Sequence, residues 1–486
     1  MTRTSRLIAC AVLIALPGLV RAQGSFGATG DPVDLIDPIA VYRYCRELSA
    51  PEYAGRLTGD EGFTEAAKWV GEKFVEWGLE PLPGAGGYLL PFPRQYTIVK
   101  SSSMQLLPGE GSGERELRPL DDFLPMLFTD GGTVEATFVF AGWGIHAPEL
   151  GYDDYDGIDA AGKFVLCFRG TPDRERTDFE EHDQHRHRME TARSMGAAGL
   201  FYIYDEPLAN PNGDHIDGFL CGIVSSAVGD SILGSAGWSV EALRDTLEQT
   251  HAPRSFPLES RARFSAQVDY HRDATGYNVA GMITGSDPEL ARTCVVLGAH
   301  LDHCGAHMGF VFPGAQDNAS GSAVVMEIAR AFSRLGGQPA RTVVFILFGG
   351  EEMGLIGSYD AADFIADTFD TITAMLNFDM VGEGDGTSCA VTPEPPALRR
   401  ALEDADARIG TLRRTREITH VGVRSSDFAP FFLKGAPCAA FFSNGPHMYY
   451  HKPQDTIYRI NPEMLGDIAR LGFGTAYRMA GWSETP

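Results

Sequence analysis

The chain of 486 residues carries 65 acidic against 40 basic side chains, which gives a formal charge of −25. A nucleic-acid-binding protein needs clustered positive charge to displace counterions, so this balance argues against that class and against binding to an anionic membrane surface. The hydrophobic content of 44% and the aromatic content of 10% supply enough apolar surface for two or three packed domains and exclude extensive disorder.

The N-terminus has the pattern of a secretory signal peptide. Arg3 and Arg6 precede an apolar run over residues 7–20, and small residues around Ala22 suit cleavage. The run is shorter than the ~20 residues that a membrane-spanning helix needs. We therefore expect residues 1–22 to be removed and the mature chain to be exported, to the periplasm or outside the cell. No later stretch is apolar enough to cross a membrane.

The eight cysteines are dispersed and contain no C-x-x-C pair. This spacing argues against a disulfide scaffold and against a thiolate zinc site. It leaves one or two disulfide bridges open in an oxidising compartment.

Two sequence textures alternate along the rest of the chain. Residues 61–77 have apolar side chains at helical spacing, which predicts a helix. Residues 96–264 contain short β-like runs separated by turns, with one helical run at 189–195. We assign residues 23–95 and 265–486 to one domain and residues 96–264 to an inserted, β-rich domain.

From residue 278 onward, apolar strands alternate with helices. The predicted strands are 294–299, 342–348 and 372–378, and the predicted helices between them are 322–334 and 355–368. Strands that are apolar throughout are typical of a parallel sheet that is buried on both faces. The fold class predicted for this part is therefore α/β, with a mixed, mainly parallel sheet sandwiched by helices.

Polar clusters follow these strands. They are H-L-D at 300–302, G-A-Q-D-N-A-S-G at 314–321, E-E at 351–352, N-F-D-M at 377–380 and Y-H-K-P-Q-D at 450–455. Taken singly, each has an ordinary alternative: a structural histidine, a helix cap, a solvated glutamate pair or a turn. Ligands of open α/β sheets bind beyond the carboxyl ends of the strands, so the set indicates one site.

The residue types in these clusters suit metal-assisted hydrolysis. His300 and Asp302 point the same way in an extended chain, as a metal-binding imidazole and its supporting carboxylate would. Adjacent side chains diverge, so one of Glu351 and Glu352 can bind a metal while the other faces a water as a base. Nitrogen and oxygen donors without thiolate suit a pair of zinc ions.

The five motifs in this order resemble the co-catalytic zinc aminopeptidase family, typified by bacterial leucyl aminopeptidases, with glutamate carboxypeptidase and the transferrin receptor as relatives. The resemblance covers residues 278 to about 474 and the helix near 61–77, and it implies the zinc exopeptidase fold. Two positions depart from the family pattern, Gln316 before the central aspartate and Phe428 after Ser426-Asp427, and neither of them replaces a ligand.

The resemblance also implies a role for each site residue. The implied metal ligands are Asp317 as the bridge, His300 and Asp379 on one ion, and Glu352 and His451 on the other. Asp302 would orient His300, and Glu351 would be the general base that deprotonates the bridging water. The two ions are expected to be zinc, with other divalent metals possible, and the Asp317-Asn318 peptide is expected to be cis.

The insert resembles the protease-associated (PA) domain. The resemblance rests on segments 142–145, 153–155, 162–165 and 192–199, and it implies a β-rich lid beside the cleft. Three nearby histidines (His182, His185 and His187) are interpreted as a solvated helix start rather than as metal ligands.

These observations predict an exported metallo-aminopeptidase that acts on peptides and has no nucleic-acid partner. A carboxypeptidase of the glutamate carboxypeptidase type is the first alternative, although the chain is expected to leave no room for the helical dimerisation domain of that branch. A zinc-dependent glutaminyl cyclase and a non-catalytic receptor-like module are further alternatives, and the receptor predicts lost ligands. The preferred N-terminal residue and the oligomeric state remain open.

Overall fold

The computed structural model describes residues 31–107, 114–418 and 426–481. The predicted signal peptide and its cleavage site lie outside the described residues. No helix in these three ranges is both long enough and apolar enough to span a membrane.

The described residues form ten α-helices. They are α1 (Pro38–Leu48), α2 (Glu61–Trp77), α3 (His185–Ser194), α4 (Ser226–Leu233), α5 (Val240–Thr250), α6 (Ser320–Ser333), α7 (Ile356–Thr368), α8 (Pro396–Ile409), α9 (Phe428–Leu433) and α10 (Pro462–Met479). The predicted helix at 61–77 is confirmed as α2. Asp60 caps its first turn by accepting a hydrogen bond from the backbone of Phe63, and Gly78 ends it in the left-handed conformation.

The same residues form eighteen strands. They are β1 (Leu89–Leu107), β2 (Arg115–Leu117), β3 (Phe123–Pro125), β4 (Gly132–Ala141), β5 (His146–Ala147), β6 (Tyr152–Asp153), β7 (Phe164–Phe168), β8 (Gly199–Tyr204), β9 (Leu220–Ser225), β10 (Ser255–Ile283), β11 (Thr293–His300), β12 (Gly305–His307), β13 (Phe310–Phe312), β14 (Thr342–Phe348), β15 (Thr371–Phe378), β16 (Thr387–Val391), β17 (Leu412–Glu417) and β18 (Cys438–Ser443). The three predicted strands of the C-terminal part are confirmed as β11, β14 and β15.

One half of the main sheet belongs to the C-terminal part and has the order β17-β16-β18-β15-β11-β14-β10. Strands β15, β11 and β14 are parallel neighbours, so their carboxyl ends meet at one edge of the sheet. The sheet is mixed because β10 and β16 run antiparallel to their neighbours β14 and β18. The predicted fold class, a mainly parallel sheet between helices, is confirmed.

Alternate residues of the central strand β11 enter two different apolar cores. Val295, Leu297 and Ala299 pack with residues of α1, α2, α6, α8 and α10 on one face of the sheet. Cys294 and Val296 pack with residues of α7 and α9 on the other face. Side chains of a strand alternate between faces, so a strand buried on both sides must be apolar throughout, as this one is.

A long two-stranded ribbon connects the insert to the rest of the molecule. Strand β1 pairs antiparallel with β10 from Leu89 opposite Val279 to Leu107 opposite Arg261. The boundaries assigned from the sequence, at residues 95/96 and 264/265, both lie within this ribbon. Beyond it the same sheet continues in the order β10-β4-β7-β8-β9-β3.

The helical run predicted at 189–195 lies largely within α3, but the insert also contains α4 and α5, which the sequence analysis did not predict. Its central strands β4, β7, β8 and β9 pair parallel to one another. The interpretation of His185 as solvated is wrong, since its ring is buried against Tyr202 at the start of α3.

The seven cysteines of the described residues are all buried and unpaired. Each packs as a small apolar side chain, and none of these seven forms a disulfide bridge.

Candidate metal centre

Five loops bring the sequence-predicted site residues together at the carboxyl edge of β11, β14 and β15. His300 is the last residue of β11, Glu351 and Glu352 come soon after β14, and Asp379 directly follows β15. Asp317 lies in the turn that leads into α6, and His451 lies in the loop after β18. All of these residues except Glu351 are buried, and the Glu351 side chain is 14% exposed.

His300 and Asp379, which we call the His300 side of the centre, are held by residues of the same domain. The Nε2 atom of His300 lies 3.4 Å from Oδ1 of Asp379. The other ring nitrogen of His300 donates to the main-chain carbonyl of Asp302 at 3.2 Å. The second oxygen of Asp379 accepts a 2.5 Å hydrogen bond from the hydroxyl of Ser426.

Glu352 and His451, which we call the His451 side, face the first pair across Asp317. The Nε2 atom of His451 lies 2.8 Å from Oε2 of Glu352. The other ring nitrogen, Nδ1, donates to the main-chain carbonyl of Ala209 at 2.6 Å. Ala209 belongs to the insert, which therefore contacts a candidate metal ligand directly.

Asp317 lies between the two sides. Its Oδ1 atom is 3.3 Å from Nε2 of His300, and its Oδ2 atom is 3.2 Å from Nε2 of His451. The carboxylate of Asp455 accepts from the backbone N–H groups of Gln316 and Asp317 and fixes the turn. The Asp317-Asn318 peptide is cis, as the resemblance implied. One carboxylate is thus shared between two imidazoles.

Asp302 has a different set of contacts from the one that the sequence predicted. Its main-chain carbonyl binds His300, while its carboxylate oxygen Oδ1 is 3.7 Å from that ring. The same Oδ1 atom accepts from the backbone N–H of Glu351 at 3.2 Å. Asp302 therefore lies beside His300 as expected and also holds the main chain of the candidate base.

His303 is a site residue that the sequence analysis missed. It is fully buried, and its Nδ1 atom lies 2.7 Å from Oε1 of Glu352. The only sequence signal was a third polar residue after β11, one position beyond the H-x-D motif. Gly314 leaves room for the ring, because a Cβ at that position would lie 2.5 Å from the His303 side chain.

Burial and charge shift the protonation of these groups in opposite directions. Burial alone lowers the pKa of His300, but Glu351 and the neighbouring carboxylates outweigh it and raise the pKa well above its usual value. Burial raises the pKa of Asp317, but the adjacent imidazoles of His300 and His451 outweigh it and hold the pKa well below its usual value. Burial dominates at Glu351 and raises its pKa well above the usual range. Metal binding would release the imidazole protons, so metal affinity is expected to rise with pH.

The donor set fits divalent metal ions. His451 Nε2 is buried and close to Glu352 Oε2, yet it lacks the geometry of a hydrogen bond to any group. Within the described residues, His300 forms compact groups of possible ligands with Asp317 and Glu352 and with Glu351 and Asp379, while His451 does so with Glu352, His303 and Cys304. Imidazole nitrogens and carboxylate oxygens at these spacings are typical zinc ligands.

A cleft of about 410 Å³ adjoins His451. One wall is the loop at residues 449–454, and the other is formed by insert residues that include Arg118, Asp121 and Glu206. Its volume lies within the usual range of small-ligand pockets, ~300–1,000 Å³.

The chain is similar to known proteins in sequence and in fold. The chain is 35% identical over 36% of its length to leupeptin-inactivating enzyme 1 of Streptomyces exfoliatus. It is 28% identical over 73% of its length to an aminopeptidase of Pseudomonas aeruginosa. An aminopeptidase from an Aneurinibacillus strain has the same fold, with a TM-score of 0.65 at 21% identity over 93% of this chain and 96% of the other.

The fold and the clustered motifs define an α/β domain with a candidate metal centre at the carboxyl edge of its sheet. Residues 278–475, which we call the peptidase domain below, match the model of peptidase family M28. The chain spans 37% of the Streptomyces protein and 61% of the Pseudomonas protein, less than two thirds of either relative.

Proposed function

We propose that the protein is an exported zinc aminopeptidase that removes N-terminal residues from peptides. The observation that carries the proposal is the position of Asp317, whose two oxygens lie 3.3 and 3.2 Å from the metal-facing nitrogens of His300 and His451. A carboxylate placed in this way between two imidazole-carboxylate pairs is suited to bridge two metal ions.

The similar proteins support the choice of reaction. The relative from Pseudomonas aeruginosa and the structural neighbour from Aneurinibacillus are both named aminopeptidases. The proposed ligands of the zinc pair are Asp317 as the bridge, His300 and Asp379 on one side, and Glu352 and His451 on the other. When bound, zinc polarises a carbonyl group and makes water more acidic.

Glu351 is the residue that we assign to proton transfer. Its side chain reaches the cluster near His300 and is the most exposed of the candidate residues. Its raised pKa suits a group that takes a proton from water and then donates it to the amine nitrogen released from the peptide bond. Asp302 contributes by holding the backbone N–H of Glu351 at 3.2 Å.

Two further assignments belong to this proposal. Export rests on the basic, then apolar, N-terminal segment of residues 1–22. A PA-type identity for residues 96–264 rests on the sequence segments that resemble that domain. The PA resemblance implies a lid beside the cleft, and residues of this insert form one wall of the cleft next to His451.

The test compares three kinds of substrate, each with and without a zinc chelator. The first is a panel of aminoacyl anilides with a free amine, beginning with leucine. The second is the same panel with an acetylated amine, and the third is an acetylated peptide with a free carboxyl terminus. We expect chelator-sensitive hydrolysis of the free-amine substrates only, restored by adding zinc.

The other outcomes separate the alternatives. Cleavage of only the acetylated peptide with a free carboxyl terminus would replace the proposal with a carboxypeptidase. Inactivity of the zinc-loaded protein on all three kinds of substrate would favour a binding module.

A further inference from the structure

The segment between β8 and β9, residues 205–219, which we call the insert loop, reaches from the insert to the metal centre. Ala209 in this loop is fully buried and packs with Cys304 and Phe312 of the peptidase domain and with Val99 of the ribbon. The insert loop thus packs directly against residues of the peptidase domain that lie next to the candidate ligands.

Ala209 makes two hydrogen bonds to one candidate metal ligand. Its carbonyl oxygen accepts from Nδ1 of His451 at 2.6 Å, and its N–H donates to the carbonyl oxygen of His451 at 3.1 Å. With the proton held on Nδ1, Nε2 carries the lone pair that faces Glu352 and Asp317. Metal-binding histidines are usually fixed in this way, and loss of the supporting group typically weakens metal affinity about 10- to 100-fold.

A second attachment reaches the residue after Glu352. Arg186, on helix α3 of the insert, donates to the carbonyl oxygen of Met353 at 2.8 Å. It also binds the carboxylate of Asp214 in the insert loop at 2.5 Å. Arg94 on strand β1 of the ribbon donates to the carbonyl oxygen of Gly213 in the same loop at 3.2 Å. The charged network therefore ties the insert loop to the backbone that carries Glu352.

A third attachment is the ion pair between Lys452 and Glu206. Lys452 follows His451, and Glu206 lies in the insert loop. The His300 side differs, because its supporting groups, the Asp302 carbonyl and the Ser426 hydroxyl, both belong to the peptidase domain.

We propose that the insert loop positions His451 and Glu352 for metal binding. The closed position of the loop is coupled to the binding of a divalent ion on the His451 side. This inference rests on the proposed function for the presence of the ion. Thermodynamic coupling is reciprocal, so if the closed loop strengthens binding of the ion, the bound ion must stabilise the closed loop to the same extent. Loosening the loop is expected to weaken metal binding on the His451 side and to leave the His300 side unchanged.

Hydrogen exchange on the full chain tests the coupling without relying on activity. The zinc-loaded and chelator-treated proteins are compared by mass spectrometry, with peptides that cover the insert loop and, as a control, helix α5. We expect amides of the insert loop, including that of Ala209, to exchange at least about tenfold faster without zinc, because local opening becomes easier. Helix α5 packs in an apolar cluster of the insert that contains no residue of the insert loop, so exchange in α5 is expected to stay constant.

Two matched variants separate positioning from general stability. Arg186→Met removes the bonds to Met353 and Asp214, whereas Arg174→Met removes only an exposed pair with Glu248 on the insert surface. Chelator competition is expected to show about tenfold weaker binding of one of the two zinc ions in Arg186→Met and unchanged binding in Arg174→Met. Thermal unfolding of both variants checks that each is folded.

The outcomes distinguish this inference from the proposed function. Zinc binding with unchanged exchange in the insert loop, or equal zinc affinity in the two folded variants, would overturn the inference alone. Failure of the full chain to bind zinc at all would overturn the proposed function as well.

Discussion

The two sides of the candidate metal centre have similar candidate ligands but are supported differently. On the His300 side, the supporting groups are the Asp302 carbonyl and the Ser426 hydroxyl, both in the peptidase domain. On the His451 side, they are the His303 ring and the Ala209 carbonyl, and Ala209 comes from the insert. The comparison shows that sequence motifs can identify candidate ligands, whereas a group that orients a candidate ligand can come from a different domain.

Asp317→Asn should weaken metal binding on both sides, because Asp317 is the residue that both sides share. An amide lacks the negative charge and presents only one oxygen, so neither ion is held as before. We expect the bound metal to fall from two ions towards one or none. A bound metal stabilises the transition state by several kcal/mol, and each ~1.4 kcal/mol of lost stabilisation slows the reaction about tenfold. Activity should therefore fall at least ~1,000-fold.

Metal analysis of the purified variant and single-turnover rates measure these two effects. The exposed Asp245→Asn on helix α5 serves as the charge-matched control. Two tightly bound ions in Asp317→Asn would show that Asp317 does not bridge.

Substitution of His303 should affect the His451 side alone. His303→Leu removes the group that lies 2.7 Å from Oε1 of Glu352, so we expect about 100-fold weaker binding of one ion. The side-chain amide of asparagine can place an N–H near the position of Nδ1, so His303→Asn should recover much of the affinity. Glutamine places its amide near Nε2 instead, so His303→Gln should not.

Stepwise titration with cobalt, followed by its absorption spectrum, reads each position separately. Recovery in His303→Asn with an unchanged cobalt spectrum identifies His303 as a positioning residue. A changed spectrum in both amide variants would mean that His303 is itself a ligand.

Ser426→Ala is the matching change on the His300 side and should have the smaller effect. The hydroxyl donates to Asp379 at 2.5 Å and accepts from the Asn377 amide at 2.8 Å. Its loss leaves Asp379 in place but less firmly oriented, so we expect about tenfold weaker binding of the other ion. Chelator competition measures this change, with the exposed Ser194→Ala as control. If the binding of both ions weakened to the same extent, the two sides would not be supported independently.

The fold of the peptidase domain was predictable because the apolar positions in its sequence correspond to the buried positions in its strands. Strands β11, β14 and β15 are largely apolar on both faces, and polar residues lie at or soon after the end of each. Parallel strands bring those ends to one edge of the sheet. The candidate ligands follow from this argument together with the family resemblance. His303 escaped it, because the chain leaves the strand after His300 and the two-residue periodicity no longer applies.

The insert was less predictable for physical reasons. Its sheet is continuous with that of the peptidase domain through β1 and β10, so the change of sequence pattern near residues 96 and 264 falls inside two strands and not between elements. Helix α5 had a recognisable signal, since Val240, Leu243 and Leu247 are spaced for one helical face. The contact of Ala209 had none, because a main-chain carbonyl 242 positions away from His451 carries no sequence signature.

The most direct test of the whole account is Glu351→Gln, with zinc content and turnover measured on the same protein sample. Glutamine keeps the size of the side chain but cannot take up the proton, and Glu351 is assigned no bond to a metal ion. We predict two zinc ions per chain, as in the parent protein, and turnover at least ~100-fold lower, the usual contribution of a general base. The exposed Glu403→Gln on helix α8 should retain both zinc and turnover. Near-normal turnover in zinc-loaded Glu351→Gln would contradict the assignment of the base.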